Sequence, residues 1–295
     1  MSTRRSFLRD TPLAAAGIAL QRYRPLSGKA FDQIPTRVTA LEAQSGGRIG
    51  VCILDTATGK SVGHRMEQRF PMCSTFKFLL AAAVLKQAES TTLTLDRSVP
   101  VPPRPLLGHS PLTEPHAGST MTVAALCHAT LTQSDNTAAN LLLNVLGGPP
   151  AVTAFARAIG DTETRLDRNE PDLNSSIEGD PRDTTTPALM AADLRRVLLD
   201  KALKPAGRQQ MAEWMEACIT GLERIRKDIP EGWRAADRTG SNGEHTTNDI
   251  AVLWPTNREP VIVTVYITQC PGPEIKRGNL IAEVGRFVRE AILLG

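Results

Sequence analysis

The sequence has few of the residues from which disulfide frameworks, zinc sites and membrane spans are built. It contains five cysteines and no C-x-x-C pair, and an odd number leaves at least one thiol free. No run approaches the roughly 18 apolar residues of a membrane-spanning helix, so we expect a soluble mature chain. We also expect no metal site, no dependence of the fold on disulfides, and buried thiols that act as small hydrophobic side chains at Cys52, Cys73, Cys127, Cys218 and Cys270.

The sequence is also poor in net charge and in aromatic residues. Lysine and arginine total 34 against 31 acidic residues, a net charge of +3, and no basic stripe carries interleaved aromatics. This argues against nucleic acid as a partner. With 295 residues, 41% of them hydrophobic, the chain is long enough for one large or two interleaved domains. No internal repeat, heptad or exposed apolar stripe suggests more than a monomer.

The N-terminus resembles an export signal. The segment "TRRSFLRD" is followed by the apolar "PLAAAGIAL", which is the pattern of a twin-arginine signal that carries a folded protein to the periplasm. A disordered basic tail is the alternative, because Pro12 and the charges of "QRYR" leave the apolar segment short. We assign residues 1–30 to the signal, with cleavage near Ala30.

Strand patterns cluster near both ends of the chain. Apolar residues at helical spacing after Phe31 end at "SGG", and a hairpin follows from "RIGVCILD" and "SVGHR". Further strands, "DIAVLWP" and "VIVTVYIT", precede a final helix. Because a lone hairpin is marginal in water, we predict an α/β (α+β) fold with one antiparallel sheet flanked by the terminal helices. The sheet domain would comprise residues 31–65 and 217–295, and residues 66–216 would form an inserted helical domain.

One polar segment, "GDTETRLDRNEPDLNSSIEGDPRDTTTP", is longer than ordinary loops. Irregular loops beyond about 12 to 15 residues are usually functional or disordered. Arg168 and Asp183 lie near its two ends and are able to pair, closing an Ω-loop over about residues 165–183. In that case Glu170 is held in place.

A lysine stands where a helix disfavours it. In "PMCSTFKFLLAAAVLKQAES" the helix is apolar on all sides from Phe78 to Leu85, yet Lys77 lies in its first turn, at the positive end of the helix dipole. Ser74 lies three residues earlier on the same face, where the two side chains could share a proton. The alternative, favoured for S-x-x-K alone, is that Ser74 or Thr75 caps the helix while Lys77 reaches solvent.

Four short motifs occur in order: "STFK" at 74–77, "SDN" at 134–136, "EPDLN" at 170–174 and "RTG" at 238–240. Each alone is compatible with a cap, a turn or a solvated carboxylate. Together they resemble the S-x-x-K, S-D-N and K-T-G set of serine hydrolases built on a Ser–Lys pair. With "EPDLN" and "GDPRDTTTP", the chain resembles a class A serine β-lactamase over essentially its whole length after the signal.

The resemblance implies a mechanism for hydrolysing β-lactams without a metal or cofactor. Ser74 would attack the lactam carbonyl to form an acyl-enzyme, Lys77 would help to manage its proton, and Ser134 would protonate the departing nitrogen. Glu170 and Asn174 would position and deprotonate the water that releases the product. Whether Lys77 or Glu170 is the base in acylation stays open.

The resemblance also implies a set of binding residues. The backbone N–H groups of Ser74 and Ser241 would form the oxyanion hole, and Asn136 would bind the amide of the substrate side chain. Arg238 stands where most of the family has lysine and would offer a planar fork to the substrate carboxylate. The remaining binding residues would be Thr239, Gly240, Ser241, Arg224 and His109.

Some assignments carry alternatives. Arg224 is nearly as well explained as a surface arginine. His109, at a cleft position that is usually aromatic in the family, is equally well explained as an exposed histidine without a role. Some relatives bridge a cysteine at the position of Cys73 to one just beyond K-T-G, but Asn242 stands there in this chain.

Two other classes of protein share part of the motif set. Penicillin-binding peptidases lack the loop carboxylate and form long-lived acyl-enzymes, so Glu170 and Asn174 argue against them. A β-lactam sensor acylates without turnover and is usually tethered by a membrane segment. Multiple turnover of a β-lactam separates the first hypothesis from both.

Overall fold

A computed structural model describes residues 28–90 and 93–294. The predicted export signal therefore lies, over residues 1–27, outside the described residues. The first helix begins at Lys29, so the cleavage predicted near Ala30 falls within its first turn.

The described chain forms eight α-helices and nine strands, with three short 3₁₀ turns at Cys73–Thr75, Glu114–His116 and Asp172–Asn174. The strands are β1 (Arg48–Asp55), β2 (Ser61–His64), β3 (Phe70–Pro71), β4 (Ser98–Pro100), β5 (Thr120–Thr122), β6 (Thr184–Thr185), β7 (Arg234–Ser241), β8 (Thr247–Trp254) and β9 (Val261–Thr268). The helices are α1 (Lys29–Ser45), α2 (Phe76–Ala88), α3 (Val123–Gln133), α4 (Asn136–Leu146), α5 (Pro149–Ala158), α6 (Pro187–Leu198), α7 (Pro205–Glu216) and α8 (Glu274–Leu294).

Strands from both ends of the chain form one antiparallel sheet in the order β2-β1-β9-β8-β7. The register pairs Val51 with Val265 and Asp249 with Val265 across the central strand. Every residue of β9 is buried, because side chains on both of its faces meet apolar layers. The predicted fold class, a mixed α/β protein built on an antiparallel sheet, is confirmed.

Two apolar layers cover the sheet. On one face lie α1 and α8. Phe31, Ile34 and Val38 of α1 belong to the same apolar cluster as the buried side chains of α8. The other face joins the larger core, which includes α2 and the middle helices. In α2 every residue from Phe76 to Leu85 is buried, as the apolar run predicts.

The middle of the chain contains short strands that the sequence pattern does not indicate. These strands form two pairs, β4–β5 and β3–β6. The second pair matters for function, since it joins Pro71, just before the first motif, to Thr184, just after the polar loop. A further backbone bond from Met72 N to Asp183 O, 2.9 Å long, extends this connection. The division into two domains at residues 65 and 216 stays a prediction.

Among the described residues no single helix has both the length and the apolar composition to cross a membrane; the bent pair of α4 and α5 meets those two criteria together.

Candidate active site

Ser74 lies in the 3₁₀ turn that leads into α2. The preceding residue, Cys73, has a φ of +43°, a region that non-glycine residues rarely adopt and that is often retained at functional sites. Neither Ser74 nor Thr75 caps the helix with its side chain; the Thr75 hydroxyl donates to Met72 O at 2.8 Å instead. The alternative that treats Ser74 or Thr75 as a simple cap is therefore wrong.

Lys77 is fully buried, so the alternative in which it reaches solvent is also wrong. Four oxygens surround its ammonium group, which has three protons to donate: Asn136 Oδ1 at 2.6 Å, Ser134 O at 2.8 Å, Glu170 Oε1 at 3.1 Å and Ser134 Oγ at 3.2 Å. Every donor of this cation is thus engaged by residues that the S-D-N motif and the polar loop supply.

Burial lowers the pKa of Lys77 from 10.5 to about 8. The Glu170 carboxylate acts in the opposite direction, and the nearby Arg238 guanidinium lowers the pKa further. Lys77 can therefore lose its proton at a lower pH than an exposed lysine would.

Glu170 connects the nucleophile to the lysine. Its Oε1 accepts a hydrogen bond from Ser74 Oγ at 3.4 Å and faces Lys77 Nζ at 3.1 Å, while Asn174 Nδ2 donates to its Oε2 at 2.6 Å. No direct hydrogen bond joins Ser74 to Lys77 within the described part of the chain. The two side chains expected to share a proton are thus bridged by a carboxylate oxygen that contacts both.

The polar loop is closed at its ends as the sequence predicts. Arg168 Nε donates to Asp183 Oδ2 at 2.6 Å, and Asp183 Oδ1 accepts from the backbone N–H groups of Asp167 and Arg168 at 2.7 and 3.0 Å. Asp183 is 1% exposed, so this charge-assisted set is shielded from water. The closure fixes the chain just before Glu170.

Ser134 and Asp135 of the S-D-N segment make different kinds of contact. Ser134 ends α3 with a φ of +61°, which turns its carbonyl and hydroxyl toward Lys77. Asp135 caps α4 by accepting from Ala138 N at 2.8 Å, so the cap predicted for this segment and its proposed chemistry coexist. Its other oxygen accepts from two loop N–H groups, those of Leu112 and Thr113, which positions the loop that carries His109.

Strand β7 is at the edge of the sheet and packs against the turn that carries Ser74. A Cβ built on Gly240 would lie 2.7 Å from Met72 O and 3.1 Å from Ser74 N, so a side chain there would push the strand away. The strand ends at Ser241. The absence of a side chain at Gly240 therefore brings this end of β7 close to the Ser74 N–H.

These elements enclose a cavity of about 410 Å³ with Ser74 in its wall. Its lining consists of Ser74, His109, Ser134, Asn136, Asn174, Thr220, Arg224, Thr239, Gly240, Ser241, Gly243 and Glu274. Among the described residues no group of side chains is arranged to hold a metal ion.

A family model described as the β-lactamase enzyme family matches residues 33–292. The chain is 49% identical to β-lactamase L2 of Stenotrophomonas maltophilia over 99% of this chain and 100% of that protein, and 46% identical to β-lactamase CTX-M-8 of Citrobacter amalonaticus over 90% and 91%. An ancestral class A β-lactamase has 56% identity and a TM-score of 0.86, covering 88% of this chain and 100% of its own. The chain is a class A β-lactamase.

A solved β-lactamase from Xanthomonas campestris is also similar, with 44% identity and a TM-score of 0.87 over 90% of this chain and 99% of its own. Class A β-lactamases hydrolyse β-lactams through a serine acyl-enzyme and confer resistance, and they are typically exported to the periplasm. The chemistry that the motifs imply for this chain is therefore that of its family.

Arg238 occupies a different place from the one expected in this β-lactamase. Its side chain is 0% exposed and does not line the cavity, whereas the sequence analysis has its fork facing the substrate. Arg238 and Gly240 point to the same side of β7, toward the Ser74 turn and α3. The guanidinium therefore lies beneath the cavity, with Nε donating to Ser74 O and Nη1 to Leu131 O, both at 3.4 Å.

The remaining predicted binding residues line the cavity. Thr239 Oγ1 lies 2.6 Å from Thr220 Oγ1, and Asn136 Nδ2 donates to Gly108 O at 2.9 Å. His109 is exposed, and its Nε2 is 2.8 Å from Gln133 O. Arg224 is 12% exposed, so the surface alternative does not describe it.

All five cysteines are free and buried. Cys73 Sγ lies 3.7 Å from Ser176 Oγ, and Asn242 Oδ1 accepts the backbone N–H groups of Glu244, His245 and Thr246. Asn242 thus shapes the β7–β8 turn at the position where some relatives have the second cysteine.

Sequence reasoning missed two residues that hold the β-lactamase site. Asn140 pairs with both backbone groups of Glu170: its Nδ2 donates to the carbonyl at 2.8 Å and its Oδ1 accepts the N–H at 3.0 Å. The signal was an asparagine one helical turn after Asn136 in an otherwise apolar run. Glu274 lines the cavity from the first residue of α8, and no motif marks it.

Proposed function

We propose that this enzyme hydrolyses β-lactams by acylation of Ser74 and by deacylation with a water that Glu170 activates. The observation that carries the proposal is the single carboxylate oxygen, Glu170 Oε1, that contacts both Ser74 Oγ and Lys77 Nζ in a buried cluster. A group that serves two half-reactions has to reach both the nucleophile and the space in front of it, and this oxygen is positioned to do so.

In acylation, Ser74 Oγ bonds to the lactam carbonyl carbon while its proton passes to Glu170, the acceptor it already faces. The ring C–N bond then breaks, and the nitrogen takes the hydroxyl proton of Ser134. Lys77 Nζ lies 3.2 Å from Ser134 Oγ and resupplies that proton. The lysine therefore acts as a proton carrier between the two serines through Glu170.

The developing negative charge on the carbonyl oxygen is stabilised by the backbone N–H groups of Ser74 and Ser241. The close approach of β7 at Gly240 supports this assignment, since it brings the strand end beside Ser74 N. Donors fixed in place before the reaction cost no reorganisation when charge develops.

In deacylation, Glu170 takes a proton from a water that attacks the ester carbon, and Ser74 leaves with a proton. Asn174 holds Glu170 Oε2 and leaves Oε1 toward the reacting centre. Penicillin-binding peptidases that share the first motifs lack this carboxylate, so it separates hydrolysis from lasting acylation.

The substrate carboxylate would lie at the β7 end of the cavity, over Arg238 and against Thr239, Ser241 and Arg224. Asn136 and His109 would contact the acylamino side chain at the other end. The positive charge of Arg238, which the cavity wall shields from water, supports this orientation.

Turnover of a chromogenic cephalosporin tests the proposal. We expect many product molecules per enzyme molecule from the wild type and none from Ser74→Ala. A stoichiometric burst without further turnover would instead indicate a sensor or a peptidase.

We also propose export to the periplasm by the twin-arginine route and a monomeric enzyme. The "TRRSFLRD" pattern and the absence of any heptad support these two assignments. Cell fractionation tests the first and gel filtration tests the second.

A further inference from the structure

An ion pair forms part of the cavity wall. Arg224 Nη2 donates to Glu274 Oε1 at 2.7 Å, and both residues line the cavity that contains Ser74. Apart from His109, they are the two ionisable side chains in that lining. The pair therefore determines the surface charge at this end of the cavity.

Arg224 is held in a fixed orientation. Its Nη1 donates to Asn248 O at 2.8 Å and, more weakly, to Gly240 O at 3.4 Å, so β7 and β8 anchor the inner edge of the guanidinium. The outer edge, Nη2, is the one that Glu274 contacts. An anion that approaches Arg224 from the cavity meets Glu274 at the same donor.

Glu274 is far less constrained. Its side chain is 42% exposed, and Arg224 is its one hydrogen-bonding partner within residues 28–90 and 93–294. Gly278, one turn later on the same face of α8, has no side chain, and a Cβ there would have nothing within 4 Å. The Glu274 carboxylate has room to move from Arg224 toward a ligand.

The β7 end of the cavity is the more favourable place for the anionic group of a substrate. Lys77 already has four oxygens within 3.2 Å, so its charge is occupied. Arg224 and the buried Arg238 lie at the β7 end. A ring carboxylate placed there competes with Glu274 for Arg224.

We propose that Glu274 determines substrate preference by favouring β-lactams that carry a positive charge next to the ring carboxylate. When such a zwitterion binds, its carboxylate pairs with Arg224 and its cation pairs with Glu274. Both charges of the cavity wall then keep a partner. A substrate with only the carboxylate leaves Glu274 displaced and without a partner. This inference rests on the proposed function and adds a substrate class to it.

Cephalosporins provide the matching chemistry. The substituent on ring carbon 3 is adjacent to carbon 4, which carries the carboxylate, so a cationic substituent there lies within a few ångströms of the anion. Cephaloridine and cephalothin share the thienylacetyl side chain and the ring system. They differ in that the first has a pyridinium where the second has a neutral acetoxy group.

The experiment compares the ratio of kcat/KM for cephaloridine to kcat/KM for cephalothin in three enzymes: wild type, Glu274→Gln and Glu244→Gln. The ratio cancels any change in how Arg224 binds the carboxylate that both compounds share. Glu244 is a matched control, since it is an exposed carboxylate in the β7–β8 turn and has no arginine partner among the described residues.

We expect Glu274→Gln to lower the ratio by about two- to five-fold, the range of a partly exposed charge pair, and the effect to shrink in high salt. Glu244→Gln should leave the ratio unchanged. An unchanged ratio in Glu274→Gln, or an equal fall in Glu244→Gln, would overturn the inference alone. No turnover of either compound by the wild type would overturn the proposed function as well.

Discussion

The two buried cations of the site differ in how completely they are paired. Lys77 meets four oxygens at 2.6 to 3.2 Å, whereas the contacts of Arg238 are all 3.4 Å or longer and its Nη2 has no hydrogen-bond partner among the described residues. Buried polar groups are nearly always satisfied, so the exception calls for an explanation. The region around Lys77 is complete without substrate, whereas the region around Arg238 is incomplete, because a buried donor lacks a partner beneath the β7 end of the cavity. We therefore propose that proton transfer and substrate recognition depend on different cations.

The strongest test disrupts the complete region. Glu170→Ala removes the carboxylate but keeps Ser74, Lys77 and Ser134. Acylation should slow, because the Ser74 proton then has only Lys77 to accept it, but release of the product should slow far more, because no other carboxylate activates the water. We expect kcat to fall by about 10²- to 10⁴-fold, the usual contribution of a general base. Intact-protein mass spectrometry should show one persistent penicilloyl adduct that a Ser74→Ala control lacks. Wild-type turnover without an adduct would contradict the mechanism.

The second test changes the incomplete region. Arg238→Ala should lower kcat/KM for penicillins by about 10- to 150-fold, about 1.5 to 3 kcal/mol, because it removes a buried positive charge that acts across the cavity wall without a direct hydrogen bond, while Arg238→Lys should keep most of the activity. The methyl ester of the same penicillin serves as a control because it lacks the charge. Equal losses on acid and ester would mean that Arg238 only supports the fold.

The third test uses the pKa of Lys77. Its folded value of about 8 lies below the ordinary 10.5, so between these values the unfolded chain binds more protons and the contribution of Lys77 to the free energy of unfolding rises with pH. Relative to Lys77→Met, the wild type should gain about 2 kcal/mol between pH 7 and pH 9.5. Urea unfolding at both values measures the change. A constant difference would show that the pKa is not lowered.

The smallest expected effect concerns the support of the complete region. Asp183→Asn removes the charge that pairs with Arg168 but keeps an acceptor for the loop N–H groups. We expect deacylation to slow by about three- to ten-fold and acylation to slow by less, because Lys77 is a second acceptor for the Ser74 proton whereas the water has only Glu170. The lost charge-assisted bond is worth about 1.5 to 3 kcal/mol, of which only a part is transmitted to Glu170. Rapid-quench kinetics separate the two steps, and equal slowing of both would argue against a specific effect on Glu170.

The sequence was most informative where chemistry and periodicity coincide. The apolar run from Phe78 to Leu85 predicted a buried helix, and the Arg168–Asp183 pair followed from the positions of the two charges at the loop ends. Strand β7 was harder to detect, because Asp237 and Arg238 interrupt its apolar pattern and are accommodated only through partners outside the strand. One of these partners is Arg226, whose Nη1 donates to Asp237 Oδ1 at 2.9 Å.

Contacts that depend on three-dimensional packing were beyond prediction. The burial of Arg238 beneath the cavity depends on which face of β7 meets α3, and a shift of one residue would reverse it. The contact of Glu274 with Arg224 joins residues 50 positions apart through the docking of α8, and no spacing rule connects them. Residue types indicated the reaction, whereas the arrangement of charges around the substrate required the structure.

The five buried thiols bear on the export route proposed above, which would take the chain into an oxidising compartment. Burial raises the pKa of Cys52 and of Cys73 to about 12, so in the folded protein these thiols stay protonated and are poor targets for oxidants. An unfolded chain has no such protection, and five exposed cysteines can join in many pairings that this fold does not contain. Folding before export avoids that hazard. A translocation route that moves finished proteins therefore suits these cysteines, whereas threading the unfolded chain through a pore would deliver it to the oxidants with every thiol exposed.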